Sequence, residues 1–125
     1  MTYLVTGGTG FIGSRIVRDL VREGEQVIIF DWQPNRSSLE RLMSEEEIES
    51  RVKIVQGEIT APPHLFRTIS ENNVAKIIHP ASLLVLDSNA NPYLAVKVNC
   101  EGTICVFEAA RTMGLTKVIW ASSNA

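Results

Sequence analysis

Several features are scarce in this 125-residue sequence, and each scarcity narrows the class of protein. The sequence has two cysteines, Cys100 and Cys105, whose spacing places them on different sides of a helix, which favours free thiols in a reducing compartment over a disulfide. No apolar run approaches the ~20 residues that a membrane-spanning helix needs, and the first residues do not resemble a signal peptide. We therefore expect a cytoplasmic protein that does not enter a membrane.

The sequence also lacks an excess of basic residues. Twelve Lys and Arg stand against fourteen Asp and Glu, and no basic cluster is interleaved with aromatic residues. Nucleic acids and anionic membranes are bound through such clusters, so we expect a small molecule or another protein as the partner. The acidic run at 45–49 is typical of a solvated helix face, and we expect no metal site.

The hydrophobic pattern predicts one α/β domain over residues 1–125. Short β-branched runs alternate with longer amphipathic ones, which is typical of parallel strands joined by helices. We expect strands at 3–6, 26–30, 52–56, 75–81 and 117–122. We expect helices at 11–23, 37–49, 62–73 and 92–113, and an irregular loop at 82–91.

The stretch "VTGGTGFIGSRIV", residues 5–17, joins the first strand to the first helix. Free N–H groups at a helix N-terminus and the positive end of the helix dipole attract an anion, and glycines let a diphosphate approach the backbone. Gly7, Gly10 and Gly13 meet this need as G-x-x-G-x-x-G. Taken alone, the pattern is also compatible with a tight turn between strand and helix.

Two charged residues beyond the second strand bear on the choice of dinucleotide. Asp31 follows Gly13 by eighteen residues, where a carboxylate can accept hydrogen bonds from the adenosine ribose hydroxyls and repel a 2′-phosphate. Arg36 could instead pair with that phosphate. We therefore favour NAD over NADP as the cofactor, and a capping role for Asp31 stays open.

The sequence resembles the N-terminal part of an extended short-chain dehydrogenase/reductase of the NAD-dependent epimerase/dehydratase type. The resemblance covers the whole chain and lies in "TGGTGFIG" at 6–13, "FD" at 30–31, "GEIT" at 57–60, "HPAS" at 79–82, "VNCEGT" at 98–103 and "ASS" at 121–123. It implies a three-layer Rossmann-type parallel sheet with strand order 3-2-1-4-5.

The resemblance further implies which residues hold the adenine half of the dinucleotide. The backbone of Phe11 and Ile12 would lie near the diphosphate, although Ile12 also fits as a core residue. Glu58 would bind the adenine amino group, where the family usually has Asp, and Ile59 would pack on the adenine. A turn role for Glu58 stays open.

For the nicotinamide half, the resemblance implies residues at the end of the fourth strand and in the long helix. Pro80, Ala81 and Ser82 would line the cofactor near the nicotinamide ribose. Asn99 would hold the nicotinamide side of the site, with an ordinary hydrogen bond inside the helix as the alternative. His79 fits better as a packed histidine at the strand end than as a catalyst.

The catalytic residue that the resemblance implies within this chain is Ser123, whose hydroxyl would bind the reacting substrate oxygen. The family moves the proton with a Tyr-x-x-x-Lys motif, and we interpret the chain as lacking it, with neither Tyr3 nor Tyr93 in that role. We therefore expect an incomplete domain, truncated before the last strands and inactive alone. In the family the long helix forms a dimer contact, so the resemblance implies a homodimer or self-association.

Two functions follow from the resemblance. The first is the NAD-binding part of an epimerase, dehydratase or dehydrogenase acting on a sugar nucleotide or a secondary alcohol. The alternative is a non-catalytic dinucleotide sensor of the same fold. The loop at 81–92 is also similar to that of the L-threonine dehydrogenase branch, so the substrate stays open.

Overall fold

Five parallel strands form one sheet in the order β3-β2-β1-β4-β5. This is the predicted order, so the Rossmann-type fold is confirmed. The computed structural model describes residues 1–123, and the last two residues of the expected domain lie outside this range. The strands are β1 (Thr2–Thr6), β2 (Gln26–Asp31), β3 (Val52–Gln56), β4 (Lys76–His79) and β5 (Lys117–Trp120).

Helices cover both faces of the sheet. The described residues contain α1 (Phe11–Arg22), α2 (Arg36–Glu40), α3 (Glu45–Arg51), α4 (Pro62–Glu71), α5 (Val85–Ala90), α6 (Pro92–Val96) and α7 (Gly102–Thr112). A π-helical turn, Lys97–Glu101, joins α6 to α7.

Alternation along the strands divides the core into two layers. In β1, Leu4 packs with α4 and α7 on one face, whereas Val5 packs with α1, α2 and α3 on the other. Both side chains are fully buried. Strands that are apolar on both faces need this double cover, which explains their near-continuous hydrophobic sequence.

The predicted helix at 37–49 is wrong, because two helices occupy the region. Ser44 caps α3: its hydroxyl accepts a hydrogen bond from Glu47 N, and the Glu47 carboxylate accepts one from Ser44 N. This reciprocal capping starts a new helix after α2 has ended at Glu40.

Two further expectations need correction around residue 90. The stretch 82–91 contains the short helix α5 in place of a wholly irregular loop. The helix expected at 92–113 is interrupted, because Gly102 N donates to Lys97 O, five residues back, within the π-helical turn. One extra residue is thereby inserted into an otherwise regular helix.

The strand register determines which loops meet. Thr6 pairs with Phe30, so the glycine-rich loop after β1 and Asp31 at the end of β2 share one edge of the sheet. β4 ends before Pro80, whose ring nitrogen has no hydrogen to continue the ladder. The loops that follow β1, β2 and β4 therefore converge at the carboxyl ends of the strands.

Candidate functional site

A cavity of about 490 Å³ opens at these carboxyl ends. Its walls come from the loops after four strands and from the segment around α6. The lining residues are Gly7, Thr9, Gly10, Phe11, Ile12, Gly13, Phe30, Asp31, Trp32, Gln33, Asn35, Gly57, Glu58, Ile59, Thr60, Pro80, Ala81, Ser82, Leu83, Leu84, Leu94 and Val98. This is the place where open parallel sheets bind their ligands.

The glycine-rich loop is built by close backbone contact. Gly7 has φ +59°, a conformation that L side chains rarely adopt. A Cβ atom on Gly13 would lie 2.1 Å from the carbonyl oxygen of Gly7. The loop therefore packs against the first turn of α1 so closely that side chains are excluded at these positions.

The N-terminus of α1 has the features of an anion site. Gly10 is the N-cap and provides no side-chain cap, and the first turn contains no acidic residue. The first intrahelical bond is donated by Ser14 N to Gly10 O, at 2.9 Å. The amides that precede it in the helix are free of intrahelical acceptors and lie at the positive end of the helix dipole.

Asp31 lies at the cavity wall and already accepts hydrogen bonds from the protein. Its Oδ2 accepts from Thr9 Oγ1 at 2.7 Å and from Thr9 N at 3.2 Å, and its Oδ1 accepts from Gln33 N at 3.1 Å. The bond from Gln33 N, two residues further along the chain, is the capping interaction named above as the alternative role of Asp31. The carboxylate nevertheless lines the cavity, and the ribose role stays a prediction.

Arg36 lies outside the residues that line the cavity. Its guanidinium forms ion pairs with Glu40 at 3.2 Å, with Glu49 at 3.3 Å and with Glu45. These carboxylates raise the pKa of Arg36 above its ordinary value. The guanidinium is thus held by carboxylates of α2 and α3, and a contact with a 2′-phosphate stays a prediction.

Glu58 and Ile59 both line the cavity wall after β3. Glu58 is exposed, and its carboxylate accepts a hydrogen bond from the Thr60 hydroxyl at 3.4 Å. Ile59 is 8% exposed and also belongs to the core beside α4 and α7. The structure places both residues where a planar group could lie against them.

Pro80, Ala81 and Ser82 form the wall after β4, and their place beside the nicotinamide ribose stays a prediction. Asn99 lies behind this wall. Its side chain accepts a hydrogen bond from Leu83 N at 2.8 Å and donates one to Leu83 O at 3.1 Å. Asn99 thereby fixes the backbone of the wall, and it is not among the residues that line the cavity.

His79 is buried directly beneath the same wall. Its Nε2 lies 3.0 Å from the Thr103 hydroxyl, and burial lowers its pKa from 6.5 to about 4. The side chain is 2% exposed, so a substrate cannot reach it. This placement agrees with a packed histidine at the strand end.

The residues considered for catalysis lie apart from the cavity lining. Ser123 is exposed and follows β5. Tyr93 and Lys97 do have the Tyr-x-x-x-Lys spacing, so our interpretation that the chain lacks this pattern is wrong. Tyr93 is 87% exposed and precedes β5, whereas the family motif is expected beyond Ser123.

Several lining residues escaped sequence reasoning. Trp32, Gln33 and Asn35 follow Asp31 in the loop, and Leu94 and Val98 come from the helical segment after α5. Thr9 could have been found, because it lies inside the glycine-rich motif. The others depend on how distant segments pack, which no local pattern reports.

Residues 1–123 contain neither a helix suited to a lipid bilayer nor a cluster of metal-ligating side chains. Among their helices, none combines the length and the apolar character needed to cross a lipid bilayer. No group of three or more His, Cys, Asp or Glu side chains within them could hold a metal ion.

The fold and the site together define the N-terminal part of a short-chain dehydrogenase/reductase of the epimerase/dehydratase type. The sequence profile described as GDP-mannose 4,6 dehydratase matches residues 4–125, and the chain belongs to this family.

Relatives agree with this assignment. A UDP-glucose 4-epimerase of Neisseria meningitidis serogroup C is 36% identical over 122 residues, which cover 96% of this chain and 36% of the relative. The chain thus spans little more than a third of the length of this relative.

Solved structures show the same fold. A UDP-glucose-4-epimerase from Stenotrophomonas maltophila, with bound NAD and formylated UDP-arabinopyranose, superimposes with a TM-score of 0.86 at 28% identity. The enzyme from Bifidobacterium longum, in complex with NAD+ and UDP, gives a TM-score of 0.86 at 30% identity. Each match covers 99% of this chain and 37% of the other.

Proposed function

We propose that this chain is the NAD-binding part of an enzyme that epimerises or dehydrates a sugar nucleotide. The observation that carries the proposal is the uncapped N-terminus of α1, bordered by glycines and facing a cavity with Asp31 at its wall. The NAD-bound epimerases of similar fold support the choice of cofactor, and the names of the relatives support the substrate class.

The residues present fit a dinucleotide. The free amides at the start of α1 would bind the diphosphate, since Gly7, Gly10 and Gly13 leave the backbone bare. Asp31 would accept from the adenosine ribose, and Ile59 would lie against the adenine beside Glu58. The 80–82 wall would border the nicotinamide ribose, held from behind by Asn99.

The charge of the lining favours NAD over NADP. Asp31 and Glu58 are its charged members, and it contains no Lys or Arg within the described residues. A 2′-phosphate near Asp31 would meet a carboxylate without a compensating cation, because Arg36 is paired with three glutamates.

Bound NAD would supply a hydride acceptor and donor for chemistry at the sugar. Within this chain we assign Ser123 to hydrogen-bond the reacting substrate oxygen, on the strength of its match to the family motif. We also assign the protein to the cytoplasm, since both cysteines of the described chain are free.

The diphosphate site can be tested with a charge at the mouth of α1. Ile12 is 63% exposed there, so Ile12→Glu adds a carboxylate beside the free amides without disturbing the core. We expect calorimetry to show NAD binding to the unchanged chain and an affinity at least tenfold lower for Ile12→Glu. The matched variant Ile12→Gln, of similar size without charge, separates electrostatics from shape.

Failure of this test has two distinct forms. Absence of NAD binding to the unchanged chain would refute the proposed cofactor. Equal binding by Ile12→Glu and Ile12→Gln would place the diphosphate elsewhere.

A further inference from the structure

Thr9 is a buried polar residue inside the glycine-rich loop, and neither the glycine pattern nor the assigned cofactor contacts explain its side chain. It is 5% exposed although it borders the cavity. A buried hydroxyl costs free energy unless it forms hydrogen bonds, so its partners indicate what it does.

Its hydroxyl connects three separate segments of the site. Thr9 Oγ1 donates to Asp31 Oδ2 at 2.7 Å and accepts from Asn35 N at 3.0 Å. The backbone of Thr9 donates to the same Asp31 oxygen at 3.2 Å. The glycine-rich loop, the end of β2 and the loop before α2 are thus joined at one side chain.

The hydrogen-bond geometry limits what Asp31 can still accept. A carboxylate has about four acceptor positions, two on each oxygen. Thr9 fills both positions of Oδ2, and Gln33 N fills one of Oδ1. Within the described chain, one acceptor position of Asp31 is left for a ligand, and it belongs to Oδ1.

We propose that Thr9 is a positioning residue that orients the Asp31 carboxylate and thereby determines how tightly the adenosine ribose of the dinucleotide is bound. This inference rests on the proposed function, because it concerns the same cofactor. Without the hydroxyl, Oδ2 regains a free acceptor position, and the carboxylate can rotate away from the ribose. The loop at 33–35 also loses the acceptor that holds the Asn35 amide.

The test compares Thr9→Val, which keeps the shape and removes the hydroxyl, with Thr9→Ser, which keeps the hydroxyl. By calorimetry, we expect Thr9→Val to bind NAD about tenfold more weakly, and Thr9→Ser to stay within about twofold of the unchanged chain. Should Thr9→Val not fold, Thr9→Ala removes the same hydroxyl.

A double-mutant cycle distinguishes positioning from general destabilisation. In an Asp31→Ala background, Thr9→Val should lower NAD affinity less than twofold further, because the group it orients is gone. An equal loss in both backgrounds would show that Thr9 acts independently of Asp31 and would overturn the inference.

A ligand-free measurement tests the same contact. Amide hydrogen exchange at Asn35 should be faster in Thr9→Val and unchanged in Thr9→Ser. If the unchanged chain does not bind NAD, the proposed function fails and this inference fails with it. If the chain binds NAD and Thr9→Val binds equally well, the proposed function stands and this inference alone is refuted.

Discussion

His79 Nδ1 accepts a hydrogen bond from the Thr6 hydroxyl at 2.6 Å, which joins the ends of β4 and β1 inside the protein. The direction follows from the neighbours. Thr6 Oγ1 accepts from Ala81 N at 3.3 Å, and Thr103 Oγ1 donates to Asn99 O at 2.8 Å, so His79 donates through Nε2 and accepts through Nδ1. The neutral tautomer satisfies every partner, whereas the imidazolium does not.

This arrangement predicts acid-sensitive stability. The pKa of His79 falls from 6.5 to about 4 on folding because burial disfavours the charged ring. The unfolded chain therefore binds a proton that the folded chain refuses, so the stabilisation is complete above pH 6.5 and is lost as the pH falls toward 4. The loss amounts to about 3 kcal/mol and can be followed by urea unfolding.

Control variants identify the residue responsible. In His79→Asn, the stability change between pH 6.5 and 4 should be smaller by that amount, although the variant is less stable overall. In the control variant His64→Gln, which keeps His79, the full stability change between pH 6.5 and 4 should persist. A pH dependence that survives in His79→Asn would contradict the assignment.

The close contact at Gly13 predicts a steric penalty. Gly13→Ala places a Cβ atom against Gly7 O, so α1 must move away from the loop. We expect the free energy of unfolding to fall by about 2 kcal/mol or more, together with loss of NAD binding.

Gly24→Ala serves as the comparison. Gly24 has φ +86° and no heavy atom within 4 Å of the added Cβ, so this variant tests backbone strain without a clash. It should cost about 1 kcal/mol and leave NAD binding unchanged. Normal NAD binding by Gly13→Ala would show that the loop tolerates a side chain.

The ion pairs of Arg36 predict that this residue does not select the cofactor. Arg36→Met should leave the ratio of NADP to NAD affinity unchanged, because the guanidinium is held by Glu40, Glu45 and Glu49. Asp31→Ala should raise that ratio. Both can be measured by calorimetry, and a specific loss of NADP affinity in Arg36→Met would mean that its side chain reaches the 2′-phosphate.

The outer face of α7 predicts self-association, which we expect for this chain. Ile104 is 60% exposed, and Phe107 packs edge-to-face on Trp120 with ring centroids 6.0 Å apart, both partly exposed. Light scattering should detect association that Ile104→Lys abolishes. Leu86→Lys alters a residue of α5 that is 83% exposed, more than Ile104, and should leave the association intact. A monomeric unchanged chain would refute the prediction.

Strand positions and the glycine-rich turn could be predicted because their signals are local. A strand buried on both faces is apolar along its length, and a bare loop before a helix needs glycine. The break before α3 was also visible, since Ser44 and Glu47 have capping-box spacing, but the continuous periodicity of 37–49 obscured it. The helical periodicity and the capping box compete in this segment, and the capping box determines where α3 begins.

The rest of the site depends on tertiary packing. Trp32 and Leu94 reach one cavity from segments more than sixty residues apart, and nothing near either residue indicates that contact. The family resemblance places Asn99 on the nicotinamide side, whereas the structure shows its amide bonded to the Leu83 backbone. The sequence offers Arg36 as a phosphate partner, but in the fold three glutamates hold its guanidinium.

The π-helical turn at Lys97–Glu101 has a consequence for the shape of the cavity. Each residue of a regular helix rotates its successor by about 100°. The inserted residue therefore changes the rotation of α6 relative to α7. Leu94 of α6 lines the cavity, and Val106 of α7 packs in the core against the sheet. Deleting one residue from this turn would rotate Leu94 by about 100° relative to Val106 and turn it out of the wall. The length of this turn therefore determines which side of α6 faces the cavity.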